Sequence, residues 1–326
     1  SGLPSVPHEG DWGVIPDLQE ANYDDSKTVD YVVSELGKEH DKPFFLACGI
    51  FRPHLPWYAP KKYFDLYRLE DINLPALKEG DLNDVPEEGR KLAAFRRNDF
   101  INIKDNGKWK EAIRAYLACI SFADAQLGRV LDALEESQYK ENTIIFFWSD
   151  HGWHFGEKNH WHKSTLWEEA TRIPFTVVAP GITKGGSTCS RTIDTLCIYP
   201  TLLELCNMEQ VKGLDGVSIV PLLKDPDMEW GIPAVSEFRR GQCSVRSERY
   251  RYIRYSDGSS ELYDHSKDPN EWDNIASEKH QDVIDDLANF IPKRFAANAP
   301  SKGSYNFNPD TYSWTHKKTL KVIKGK

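Results

Sequence analysis

No run of about 18 consecutive apolar residues occurs anywhere in the 326 residues, so no membrane-crossing helix is expected. A basic excess is missing too. The formal net charge is −9, which argues against a general nucleic-acid binder with its positive face. The six cysteines, Cys48, Cys119, Cys189, Cys197, Cys206 and Cys243, never fall in CxxC spacing. Neither a disulfide framework nor a metal ribbon follows from them, and Cys48 and Cys119, set in apolar runs, read as small buried hydrophobes. Internal repeats, low-complexity tracts, an initiator Met and a signal peptide are all lacking, and the chain opens in loop-like sequence, SGLPSVPHEGDWG. Ten tryptophans and this length are enough for the core of a large α/β domain plus a smaller one.

The chemistry concentrates between residues 143 and 174. Thr143-Ile144-Ile145-Phe146-Phe147-Trp148 is a β-branched and aromatic run, which reads as a buried, parallel strand. Ser149-Asp150-His151-Gly152 ends it, so a carboxylate and an imidazole stand where ligands bind in open α/β sheets. Lys163 follows, flanked by His160 and His162, and four of the ten histidines fall between 151 and 162. His151, His154, His160 and His162 would suit zinc in part, but no cysteine lies in the stretch to complete such a site.

A second site ends an earlier strand. Asp24 or Asp25 is expected to cap a helix carrying Val29, Val32, Val33 and Leu36, stopped at Gly37. Phe44–Ile50 then reads as another buried strand, closed by Phe51-Arg52-Pro53-His54-Leu55-Pro56-Trp57. Prolines on both sides fix the backbone around His54, whose imidazole suits proton transfer near neutral pH. Residues 58–107 show no clear period and read as a long surface excursion. Residues 108–137 hold the clearest helix, in which Asp124 is a polar surface position. A strand at 174–179, a helix after Pro200, short antiparallel strands near 233–237, 243–247 and 250–255, and a helix near 278–292 complete the pattern. The last thirty or so residues read as a wrapping or loosely ordered tail.

The strings KPFFLACGIFRPHLPW, AYLACISFADAQLGRVLDAL, SDHGWHFGEKNHWHK, LDGVSIVPLL and ELYDHSKDPNEWDNIA stand in an order that resembles the sulfatases of the alkaline-phosphatase superfamily, most closely the iduronate-2-sulfatase branch. The resemblance implies that Asp150 and His151 bind an active-site Ca2+, that Lys163 contacts the substrate sulfate, and that His54 is the proton donor beside the scissile ester. Arg52, Trp153, His154 and His162 are further substrate-binding candidates. A sulfated substrate would be repelled by the global charge, so a local patch drawn from Arg52, His54, Lys163 and Arg172 would have to hold it. Sulfatases of this type use a formylglycine made in a CxPxR or CxAxR motif, and add an Asp-Asp metal pair. The motif is not found here, and so neither is a pair in the family's place ahead of it; Cys189-Ser190-Arg191 has the wrong spacing. The expectation is therefore the C-terminal part of a sulfatase, with the nucleophile in an N-terminal portion of the same enzyme.

The expected fold is α/β, a mostly parallel sheet between helices without its N-terminal strands, plus a small C-terminal α+β subdomain. The expected parts are residues 1–224, 225–298 and a tail at 299–326. The expected activity is calcium-dependent hydrolysis of a sulfated saccharide, in a periplasmic, extracellular or lysosomal setting implied by the resemblance. The alternatives are a phosphomonoester or phosphonate hydrolase of the same superfamily and a catalytically dead glycan-binding relic.

Overall fold

The computed structural model describes residues 11–95, 97–296 and 304–324. The loop expected at 1–10, and 297–303 and 325–326 of the expected tail, lie outside them. The first strand, β1 (Trp12–Gly13), pairs in parallel with β2 (Trp57–Tyr58), and helix α1 (Asp24–Leu36) lies between them in the chain. Its buried stripe is Val29, Val32 and Leu36, as the spacing predicts. The acids at its start are not caps. Tyr23 occupies the cap position without a side-chain bond, and the Asp25 carboxylate instead accepts the Phe51 N–H at 2.7 Å.

The expected surface excursion folds. It holds α2 (Lys61–Phe64), α3 (Glu87–Ala94) and α4 (Arg97–Asp105), which bury Phe64, Leu92, Ala93, Phe100 and Ile103. These helices are too short for a periodic signal to rise above their charged surface positions. Helix α5 (Trp109–Glu135) is the long helix of the fold and packs on α1 and α2. Its buried face is Ala112, Ala115, Ala118, Cys119 and Phe122, small residues that let the aromatics Tyr23, Trp57 and Tyr63 close on it.

Strand β3 (Ile145–Trp148) runs antiparallel to β6 (Phe175–Val178), contrary to the parallel arrangement expected of it. It is not fully buried either: Phe147 and Trp148 are 39% and 44% exposed. Phe44–Ile50 forms no strand, Phe45 is 80% exposed and Cys48 is exposed. Among the described residues these segments have no further strand beside them, which leaves their apolar side chains in the open. Between β3 and β6 come the small hairpin β4 (His154–Phe155) and β5 (Trp161–His162), then α6 (Glu168–Thr171). After β6, α7 (Ile198–Leu205) and α8 (Val220–Lys224) follow.

The C-terminal sheet has the order β10-β9-β8-β7 and is antiparallel throughout: β7 (Ala234–Glu237), β8 (Cys243–Arg246), β9 (Tyr250–Arg254), β10 (Ser260–Asp264). Helix α9 (Gln281–Ala288) closes one face around Val245, Leu262 and Leu287. Where a tail is expected, β11 (Tyr305–Asn308), β12 (Ser313–His316) and β13 (Val322–Lys324) form a separate three-stranded antiparallel sheet.

The seam between the α6 region and the C-terminal sheet is ionic. The Arg251 guanidinium, buried on β9, donates to both Glu168 and Glu271. The Glu261 carboxylate accepts from Trp167 Nε1 at 2.9 Å and from the hydroxyls of Tyr255 and Tyr263. Lys158, 2% exposed, donates to Asp81 at 2.8 Å and to the Glu271 carbonyl. Buried charges of this kind persist only when paired.

Candidate active site

The loop 51–57 is turned by two cis peptides, Arg52–Pro53 and Leu55–Pro56. It is anchored by Trp57, fully buried, whose Nε1 donates to the Pro53 carbonyl at 2.8 Å. The loop carries His54 to the end of β3. There its ring centroid lies 6.2 Å from that of His151 and 6.4 Å from that of Trp153. Residues about a hundred positions apart thus share one site.

Backbone carbonyls set both tautomers. His54 Nδ1 is 2.7 Å from the Leu55 carbonyl, and His151 Nδ1 is 2.8 Å from the Gly152 carbonyl. A carbonyl only accepts, so Nδ1 carries the proton in each ring and Nε2 is left for chemistry. Lys163 Nζ donates to His151 Nε2 at 2.6 Å, and Asp150 Oδ2 is 3.5 Å from the same nitrogen. Burial holds the His151 pKa below its ordinary value, against the opposite pulls of the Gly152 bond and Asp150; Lys163 and His54 act with burial. Its imidazole is therefore neutral at pH 7, with a lone pair on Nε2.

Gly152 explains the third letter of Asp-His-Gly. A Cβ there would lie 2.0 Å from the Glu169 carbonyl oxygen, and its N–H donates to the Ala170 carbonyl at 2.9 Å. Only glycine lets the β3 end sit directly on α6.

The other candidates divide. Trp153, 7% exposed, forms the floor under His54 and His151 and leans on Trp57 at 5.6 Å. Arg52 faces inward: it pairs with Asp25 at 3.2 Å, donates to the Tyr58 carbonyl and lies over the Tyr23 ring. It fixes the loop and is not presented to a substrate. His154 is fully buried, bonded to Thr165 Oγ1 at 2.7 Å, and burial holds it well below its ordinary pKa, so it is neutral and out of reach. His162 lies against Trp153, ring centroids 4.6 Å apart and planes tilted by 47°, and is bonded through Nε2 to Asp99 Oδ2 at 3.1 Å. Arg172 is exposed; its carbonyl sits against Gly152, and it lines an open cleft of about 670 Å³ with Glu169, Arg246 and Arg249. Sequence reasoning missed Asp25, which holds Arg52, and Asp99, which holds His162. No local signal marks either one, because each partner is distant in the chain.

Asp150 offers one carboxylate, 82% exposed, 3.5 Å from His151 Nε2, whose lone pair accepts from Lys163 here and would serve a cation only once that ammonium turns away. These donors fit one side of a cation site. Calcium takes six to eight oxygens, so the pair is a partial set. Among the described residues, the one group of three ligand-type side chains, Glu168, His265 and Glu271, lies elsewhere; both of its carboxylates are already paired with Arg251, and His265 with Glu271.

The sulfatase family model matches residues 5–208, and the model for the C-terminal portion of N-sulphoglucosamine sulphohydrolase matches residues 156–295. The chain belongs to the sulfatase family. A sulfatase from Formosa agariphila is 40% identical over 306 residues, covering 92% of this chain and 59% of that protein. Mouse (Mus musculus) iduronate 2-sulfatase is 32% identical over 181 residues, covering 52% of this chain and 33% of its own length. This sulfatase chain thus spans about three fifths, or less, of these relatives.

Solved structures agree on the fold. A protein in complex with its substrate D-glucosamine-2-N,6-O-disulfate matches with TM-score 0.67 and 22% identity, over 82% of this chain and 68% of that one. A phosphonate monoester hydrolase from Silicibacter pomeroyi matches with TM-score 0.73 and 21% identity, over 83% of this chain and 60% of that one. The α/β fold of the alkaline-phosphatase superfamily is therefore the fold of this chain. Its parallel character does not extend to the strand pairs seen here, where β1 with β2 is the one parallel pair among the described residues.

Proposed function

We propose that this sulfatase hydrolyses a sulfate ester on a sulfated saccharide. The observation that carries the reading is the convergence of His54, His151 and Lys163: Lys163 Nζ 2.6 Å from His151 Nε2, with the His54 ring 6.2 Å from His151. The Lys163 ammonium supplies a fixed charge for sulfate oxygens. His54, its Nδ1 proton held on the Leu55 carbonyl, has Nε2 left for proton transfer. In the imidazolium form that nitrogen delivers a proton to the departing sugar oxygen. Trp153 closes the floor against water. Asp150, and His151 once Lys163 turns from its Nε2 toward the sulfate, would hold a calcium ion, which when bound acts as a Lewis acid toward the sulfate. The reading places a formylglycine nucleophile and the remaining metal carboxylates in a portion of the enzyme outside these 326 residues.

The test is hydrolysis of an aryl sulfate by the complete enzyme with added calcium. Turnover abolished by Lys163→Ala is expected. Turnover indifferent to Lys163→Ala, with His54→Ala also silent, would remove the site from the chemistry. The structural match to a phosphonate monoester hydrolase supports a second reading, an ester hydrolase for phosphonates. Matched aryl sulfate and phenylphosphonate esters separate the two by their kcat/KM ratio.

A further inference from the structure

The sheet of residues 305–324 places its apolar side chains on the surface instead of in a core. The β11–β12 and β12–β13 registers align Phe307, Trp314 and Ile323 in one row across all three strands, with Tyr305 and His316 on the same face. Phe307, Trp314 and Ile323 are 49%, 38% and 46% exposed. The Phe307 and Trp314 rings lie 5.0 Å apart with planes tilted by 35°, and Tyr312 abuts Phe307 at 6.1 Å. This is a contiguous aromatic strip, of the sort that marks an interaction site on a soluble surface. Its surroundings are charged one way. Lys317 and Lys318 form the β12–β13 turn, Lys321 and Lys324 flank or lie on β13, and Asp310 is the one acid from 305 to 324, in a chain whose net charge is −9.

We propose that this sheet docks a sulfated polysaccharide chain. The assignment rests on the saccharide reading of the active site and names how a polymeric substrate is held. Aromatic rings offer large, rigid, amphipathic contact area to the apolar faces of pyranose rings. The lysines answer the sulfate groups that the rest of the acidic surface repels. The row runs across the strands, so a linear chain lies transversely over all three. Carbohydrate bound there raises the local concentration of ester groups near the enzyme without touching the reacting atoms.

The experiment is affinity electrophoresis of the complete protein in gels containing dextran sulfate or unsulfated dextran. Retardation by dextran sulfate alone is expected. Trp314→Ala should weaken it about fivefold or more, the loss typical of an aromatic anchor, while aryl sulfate turnover is unchanged. Trp314→Tyr should retain binding, which guards against mere unfolding of the sheet. Lys317→Gln with Lys318→Gln, both in an exposed turn, should also weaken binding and flatten its salt dependence. Retardation unaffected by the Trp314 and lysine variants would overturn the proposal, as would loss with the lysine pair but none with Trp314→Ala. Binding to phosphatidylserine vesicles without binding to dextran sulfate would assign the surface to a membrane and overturn it as well. Loss of retardation with intact turnover condemns the docking site alone; absent turnover with intact retardation condemns the active-site reading alone.

Discussion

A single imidazole can be asked what it does by changing the leaving group. His54 has Nε2 left for chemistry because Nδ1 is tied to the Leu55 carbonyl. If it protonates the leaving oxygen, His54→Ala should slow hydrolysis of a sugar sulfate about 10²–10⁴-fold and a nitrophenyl sulfate far less, measured as kcat for each. Equal losses would make it a positioning residue. Gly152→Ala forces a Cβ toward the Glu169 carbonyl, so His151 or α6 must move. We expect a stability loss of about 1–3 kcal/mol by denaturant titration and a drop in turnover on the order of 10²-fold. At this scale the sequence was legible where a polar residue interrupts an apolar run: Asp150, His151 and His54 all came into one site. It was illegible where a polar side chain finds a distant partner. Nothing local to Arg52, His154 or His162 announces Asp25, Thr165 or Asp99.

Helix α6 is short, yet it joins the β3 end to the C-terminal sheet. Burial, reinforced by Glu271, Glu157 and Glu168, raises the Glu169 carboxyl from about 4.5 to about 8. The native state therefore keeps a proton that the unfolded chain releases, and stability falls as pH rises from about 4.5 to about 8. Glu169→Gln removes that slope. Its melting temperature relative to the native protein should rise across this window and level off above it; a pH-independent difference would refute the assignment. Element type was readable for α1, α5 and β7–β9, whose periodic apolar positions face a core. It failed for α3 and α4, too short to show a period, and for the direction of β3. Pairing direction depends on the neighbouring strand, which lies about thirty residues on at Phe175–Val178.

Across the whole molecule the ionic seam governs the response to acid. Burial alone would raise the Glu271 pKa, but the Arg251 charge and His265 outweigh it and hold it at about 2, below an ordinary 4.5. The unfolded chain takes up that proton first, so stability is present above pH 4.5 and is lost as pH falls toward 2. Glu271→Gln leaves Arg251 buried and short of a counter-charge. It should cost about 3–5 kcal/mol at pH 7, and the gap to the native protein should close in acid, as read by denaturant midpoints. The second seam group, Glu261, has a consequence for chimeras. Its carboxylate is shared by a tryptophan indole four residues from Lys163 and by two tyrosines of the C-terminal sheet. A chimera whose replacement portion lacks these partners would strand the polar groups of the other, so the two portions are coupled in folding.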